Sequence, residues 1–139
     1  MRTECFLDTN VLIYAASTRI EDQRKYEIAE KILTTTYFGI SGQVLSEFVN
    51  NLRKSLAVKP TMLELVRWLD LLANFPTAPV DDKLVRAGIT MSERYQISYW
   101  DGAIVAAAQQ LGAPILYTED LNHGQLYGSV KVINPFKVH

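Results

Sequence analysis

Four carboxylates, Asp8, Glu47, Asp101 and Asp120, stand where an acid could do chemistry. Asp8 closes the short run Glu4-Cys5-Phe6-Leu7, and Asp120 follows Ile115-Leu116-Tyr117 within Thr118-Glu119-Asp120. Glu47 lies on the flank of a helical stripe made by Val44, Leu45, Phe48 and Leu52. Asp101 shares a helix face with Ile104, Val105, Ala108 and Leu111, where an ionised acid needs a partner or a metal. Each acid also has a plain structural role open to it. Asp8 and Asp120 can cap helix starts or turns, as can Asn10 and Thr118. Glu47 can be a solvated acid favoured by a helix N-terminus, and Ser98-x-x-Asp101 has capping-box spacing. Taken together, the four say more. Gathered in one place they repel one another, so a cation must neutralise the group. Oxygen ligands without His or Cys suit Mg²⁺ or Mn²⁺. Such an ion orients a water, lowers its pKa and stabilises charge on a phosphate, which is nuclease chemistry without a nucleophilic side chain.

The elements that must position these acids can be read from apolar patterning. Short strands are expected over 4–7, at Tyr37-Phe38-Gly39-Ile40, from Thr77 to Val80, at Ile115-Leu116-Tyr117 and at Lys131-Val132-Ile133. Between them lie a short helix starting at Val11 and a longer one over Ile20 to Thr36, with Tyr26, Ala29, Ile32 and Leu33 on one face. Further helices run from Ser41 or Gly42 to about Ser55, from Thr61 to about Ala73, from Asp81 or Asp82 to Tyr95, and from Ser98 to Leu111. Gly112 and Pro114 stop the last of these. Apolar strands alternating with helices imply an α/β fold with a parallel sheet covered on both faces. In such sheets the ligand site lies beyond the carboxyl ends of the strands. Three of the acids fall at strand ends or helix starts that this edge collects, and the fourth rides a helix that begins there.

Composition narrows the function. The 139 residues suit one domain over 1–139, and 48% hydrophobic with 21% charged residues is ordinary for a globular core. Cys5 is the sole cysteine, which excludes an intrachain disulfide and a Cys-based zinc site. Glu4 and Asp8 interrupt any signal-peptide core, and no apolar run reaches a membrane span, so a soluble cytoplasmic protein is expected. A net charge of −1 does not suit binding of nucleic acid by charge alone, and a bound divalent ion would have to supply local positive charge. Asn10 stands where an aspartyl-phosphate phosphohydrolase would carry a second Asp, and no Gly-Lys-Ser/Thr phosphate loop is present.

At these residues the chain resembles PIN-domain proteins, and within them the VapC-type toxins of toxin–antitoxin systems. Four motifs carry the resemblance in order: Phe6-Leu7-Asp8-Thr9-Asn10-Val11-Leu12-Ile13-Tyr14, Ser41-Gly42-Gln43-Val44-Leu45-Ser46-Glu47-Phe48, the run from Ser98-Tyr99-Trp100-Asp101-Gly102 to Ala108, and Leu116-Tyr117-Thr118-Glu119-Asp120-Leu121. The resemblance implies a three-layer α/β/α sandwich with a mainly parallel sheet. It implies Mg²⁺ or Mn²⁺ held by Asp8, Glu47, Asp101 and Asp120, one or two ions in number, with Glu119 an alternative to Asp120 or a group acting through water. It implies hydrolysis of RNA, inhibition by a cognate antitoxin and a homodimer. Thr9, Asn10 and Thr118 are expected to hydrogen-bond the acids and fix their orientation. A PIN-like module that binds RNA or protein without cleaving is the alternative.

Other residues carry weaker signals. His123 is expected to contact a neighbour rather than catalyse, and His139 is terminal. Arg19, Arg24, Lys25 and Lys54 are candidate phosphate contacts or a solvated surface. Tyr99-Trp100 could stack a base, with packing beside the helix start the favoured expectation. Leu63, Leu65, Leu69, Leu71, Leu72 and Trp68 read partly as core, and any excess apolar surface there suits a dimer or antitoxin contact.

Overall fold

The fold is built on one six-stranded sheet whose chain order reverses beside the first strand. A computed structural model describes residues 2–17, 22–55 and 59–138, without the side chain of residue 55. The strands are β1 (Cys5–Leu7), β2 (Phe38–Ser41), β3 (Thr77–Ala78), β4 (Ile115–Tyr117), β5 (Leu126–Tyr127) and β6 (Val130–Ile133), in the spatial order β3-β2-β1-β4-β6-β5. All neighbours are parallel except the β5–β6 pair. The chain therefore steps outward from β1 through β2 to β3, then crosses back to lay β4 on the other side of β1. That reversal opens a crevice past the carboxyl ends of β1 and β4, the standard ligand position in open α/β sheets.

The helices are α1 (Thr9–Ala16), α2 (Gln23–Thr35), α3 (Gly42–Ser55), α4 (Met62–Leu72), α5 (Asp82–Tyr95) and α6 (Tyr99–Gln110). Every residue of β1 and β2 is buried, so both faces of the sheet are covered and the layering is α/β/α. The expected stripes pack as read: Val44, Phe48 and Leu52 of α3, and Ala29 and Ile32 of α2, are buried. Thr61 and Glu64 close a reciprocal capping box at the start of α4, and Trp68 meets Phe48 edge-on at 5.6 Å.

Several expectations shift. The expected start of the second helix at Ile20 lies outside the described residues; within them the helix begins at Gln23, with Asp22 as its cap. The strand expected from Thr77 to Val80 shrinks to Thr77–Ala78, because Asp81 caps α5 and draws the chain out of the sheet. The antiparallel strand β5 was not expected at all: it is two residues long and ends at Gly128, whose φ of 61° makes the tight turn into β6.

The helix that carries Asp101 is buried almost all round, from Gly102 through Ala108. It lies between α5 and the sheet, touching β2, β4 and β6. Small side chains make that possible. A Cβ on Gly102 would stand 2.5 Å from the Gly88 carbonyl oxygen and 2.8 Å from the Ser92 amide nitrogen, both of them backbone. Gly102→Ala should therefore destabilise the protein by about 2 kcal/mol through overpacking, read as a lowered midpoint in chemical denaturation, whereas Gly112→Ala, where a Cβ meets nothing within 4 Å, should cost only the strain of its φ of 73°.

Candidate metal-binding active site

Asp8 follows Leu7 of β1 and caps the helix after it. As the cap of α1 its Oδ1 accepts the Thr9 amide at 2.7 Å, while Oδ2 accepts the Thr118 hydroxyl at 2.7 Å from the end of the neighbouring strand β4. The Asp8 amide in turn donates to the Tyr117 carbonyl at 3.1 Å. The residue is only 6% exposed. Burial pushes its carboxyl up to about 6 against the pull of the two hydrogen bonds, and the charges of Asp120 and Glu47 add to the rise.

The other acids arrive from separate elements. Glu47 sits one helical turn beyond Gln43 on α3, and its Oε1 accepts the Thr9 hydroxyl at 3.2 Å and the Gln43 amide at 3.4 Å. Asp101 lies in the first turn of α6, where only half of the capping box forms: the Asp101 amide donates to Ser98 Oγ at 3.1 Å. Partial burial, with Asp120 nearby, holds its carboxyl above the ordinary range. Asp120 is reached through Thr118, whose Oγ1 accepts the Asp120 amide at 3.1 Å, and Asn10 Nδ2 donates to Asp120 Oδ2 at 3.3 Å and to Thr118 Oγ1 at 3.3 Å.

All four carboxylates line one cavity of about 280 Å³, with Thr9, Asn10, Gln43, Asn51, Tyr14 and Trp100 on its walls. Glu119 is turned elsewhere: it accepts the Tyr14 hydroxyl at 2.6 Å and pairs with Lys25 at 3.0 Å. Geometry thus separates Asp120 from Glu119, which the sequence left as alternatives. Gln43 and Asn51 were not anticipated, although each lies four residues from Glu47 on α3, a spacing that marks a shared helix face.

The expected phosphate contacts are less available. Arg24 donates to the Phe136 carbonyl at 2.8 Å, Lys25 is committed to Glu119 and Tyr14, and Arg19 lies outside the described residues. Lys54 is exposed on α3. His123 accepts the Asn134 amide on Nδ1 at 3.0 Å, and His139 is outside the described residues. Trp100 corrects an expectation: it does not pack away beside the helix start but is 64% exposed at the cavity rim.

Among the described residues, neither ion pair includes any of the four acids, and no three Asp, Glu, His or Cys side chains close into a ready-made ligand shell. The donor set nonetheless fits a hard cation. It is all oxygen, and Asn10 Oδ1 is buried in the same region without a hydrogen-bond partner. Mg²⁺ is commonly held by one or two carboxylates, retained waters and substrate phosphates, so the open spacing is compatible with it. A larger cavity of about 700 Å³, lined by Tyr26, Leu33, Trp68 and Leu71 among others, has only Glu30 and Glu64 as acids and no such constellation.

A family profile for the PIN domain matches residues 5–128. The chain belongs to the PIN-domain family. No curated protein matches it in sequence. Among solved structures, this PIN domain is similar to a toxin–antitoxin complex from Klebsiella pneumoniae, with a TM-score of 0.72 and 19% identity over 97% of this chain and 100% of that one. It is also similar to the sarcin–ricin-loop-cleaving toxin VapC20 of Mycobacterium tuberculosis, at a TM-score of 0.66 and 18% identity over 84% of this chain and 90% of that one. A third, FitAcB from Neisseria gonorrhoeae, gives 0.64 and 19% over 96% and 99%. At these identities the likeness is one of fold. The PIN match stops at Gly128, yet β6 follows it and pairs with β4 inside the sheet.

The raised Asp8 pKa has a consequence for stability. In the unfolded chain this carboxyl titrates near 3.8, so folding favours its protonated form. The stabilisation is complete below the unfolded value and is lost as pH rises through about 6. In chelator, Asp8→Asn should keep the Thr9 cap, raise stability at pH 7 by about 1–3 kcal/mol, and lose that advantage near pH 4. Urea denaturation of both proteins at the two pH values reads the difference, and an equal advantage at both would place the effect elsewhere than in the charge.

Proposed function

We propose that the protein is a Mg²⁺- or Mn²⁺-dependent ribonuclease that hydrolyses RNA phosphodiester bonds, and that it acts as the toxin of a VapBC-type pair. One observation carries the proposal: four carboxylates from four separate segments, Asp8, Glu47, Asp101 and Asp120, ring one cavity at the sheet's reversal point. Nothing in the packing of the core asks for that convergence, which costs stability in the absence of a cation.

Asp8 and Asp101 would hold the ion, with Glu47 and Asp120 completing the site directly or through water. When bound, the ion supplies a lowered pKa for water and charge stabilisation at the phosphate. The chain's own residues do the positioning. Thr118 fixes Asp8 Oδ2 and the Asp120 amide together, Thr9 orients Glu47, and Asn10 bridges Thr118 and Asp120. Glu119 serves structure instead, tying its loop to α1 and α2 through Tyr14 and Lys25.

An antitoxin partner is supported by α4, where the apolar side chains of Met62, Leu63, Val66 and Leu71 are each exposed. The neighbouring structures include a DNA-bound VapBC from Salmonella typhimurium. A homodimer and a cytoplasmic location belong to the same proposal, and among the described residues no helix is long and apolar enough to cross a membrane.

Purified protein free of antitoxin, incubated with total RNA in Mg²⁺, in Mn²⁺ and in chelator, tests the reading. Cleavage is expected with either metal and not with chelator. Asp8→Asn, Asp101→Asn and Asp120→Asn should each lower the rate by at least about a hundredfold with the fold retained, while Glu119→Gln should cleave within about tenfold of wild type. No cleavage of any RNA by the folded wild-type protein would favour a PIN module that binds without cutting; cleavage surviving in the Asp variants would displace the site.

A further inference from the structure

We infer that the recess beside the acidic cavity is a nucleobase-binding site, in which Trp100 stacks the base of a single-stranded RNA nucleotide next to the bond to be cut. The inference rests on the ribonuclease reading above and adds to it the group that grips the substrate. A second cavity, of about 600 Å³, adjoins the acidic one and shares Gln43, Glu47 and Trp100 with it. Its apolar surface comes from Val80, Leu84 and Ala103, and its aromatic wall from Tyr99 and Trp100. Ser46 and Asn50 add polar groups at the edge. A phosphate held among the carboxylates would therefore leave its neighbouring nucleotide beside a wall that is aromatic on one side and apolar below.

Trp100 is built for display. Of the described tryptophans and phenylalanines it alone is exposed. Its backbone carbonyl accepts the Gln43 amide at 3.2 Å, and its ring meets Tyr99 edge-on at 5.2 Å, so a solvent-facing indole is held in place from two directions. So large an exposed ring at the rim of both cavities offers a face on which a base can stack. It precedes Asp101 in the chain, and the helical rotation of about 100° per residue places the carboxylate in the acidic cavity and the indole at the junction of the two.

Charge gives the same answer from another direction. A net charge of −1 does not suit holding a phosphate backbone by charge alone, and Arg24 and Lys25 are occupied internally. Base stacking on an aromatic ring is the alternative source of affinity, and it tolerates any base because every base has a π-face.

The test uses random-sequence RNA hexamers with Ca²⁺, a hard oxygen-seeking cation, in the full-length Trp68→Phe protein, where Trp100 is the only tryptophan left. Saturable quenching of its emission is expected on RNA addition. Labelled hexamers should bind Trp100→Ala roughly tenfold more weakly than wild type, Trp100→Tyr should restore most of the affinity, and the particle mass by light scattering should be the same for all. Equal hexamer affinity of Trp100→Ala and wild type, with emission unmoved, would overturn the recess while total-RNA cleavage kept the ribonuclease standing. A fall in particle mass for Trp100→Ala would also overturn it, assigning the recess to a second copy of this chain. No RNA binding and no cleavage by wild type would remove both readings together.

Discussion

The Thr118 hydroxyl donates to Asp8 Oδ2 across the joint between β1 and β4, and the rest of the site is arranged around that bond. It fixes a buried carboxylate at the one place where the sheet's chain order reverses, and the same oxygen receives the Asp120 amide and the Asn10 side chain. A single hydroxyl thus sets the relative position of two acids and of the residue between them in space. Three hydrogen-bonding partners on Thr118, which is fully buried, also satisfy a polar group that would otherwise be costly in the core.

Against this stands the repulsion of the acids it assembles. Asp8 and Asp101 both have carboxyls raised by burial and by Asp120, so the metal-free fold holds charge at a loss. The loss has to be met elsewhere in the structure. The all-buried strands β1 and β2 and the small-residue packing of α6 between α5 and the sheet supply the compensation. Close approach of α5 and α6 depends on Gly88 and Gly102, which is why the residue after Asp101 has no side chain to give. A stable scaffold carrying a destabilised polar site is the usual division of labour in sites tuned for chemistry.

Much of this was legible in the sequence, for identifiable reasons. Helix stripes such as Val44, Phe48 and Leu52 repeat over several turns, and turn or cap residues mark the strand ends, so the acids could be assigned to one edge without coordinates. Where periodicity is absent, the reading lost resolution. Glu119 and Asp120 are adjacent in a loop, and contacts distant in sequence distinguish them: Lys25 and Tyr14 hold Glu119, while Asn10 and Thr118 hold Asp120. The strand β5 is too short to show alternation. Trp100 was expected to pack beside the helix start; its neighbour Asp101 faces the acidic cavity, and one residue of helix rotation leaves the indole exposed at the rim. The two readings of Asp8, cap and candidate ligand, could not be split by sequence because they do not compete: each carboxylate oxygen accepts one hydrogen bond, from Thr9 or from Thr118, and keeps further acceptor capacity.

Divalent-cation binding in the four-acid cavity is read most directly by Mn²⁺ titration followed by the electron paramagnetic resonance signal of the free ion. Wild type and Glu119→Gln should bind Mn²⁺ saturably with similar affinity, and Asp8→Asn and Asp101→Asn should each bind at least about tenfold more weakly while remaining folded by circular dichroism. Equal Mn²⁺ affinity across all four proteins, or no saturable binding by wild type, would contradict cation binding by these acids.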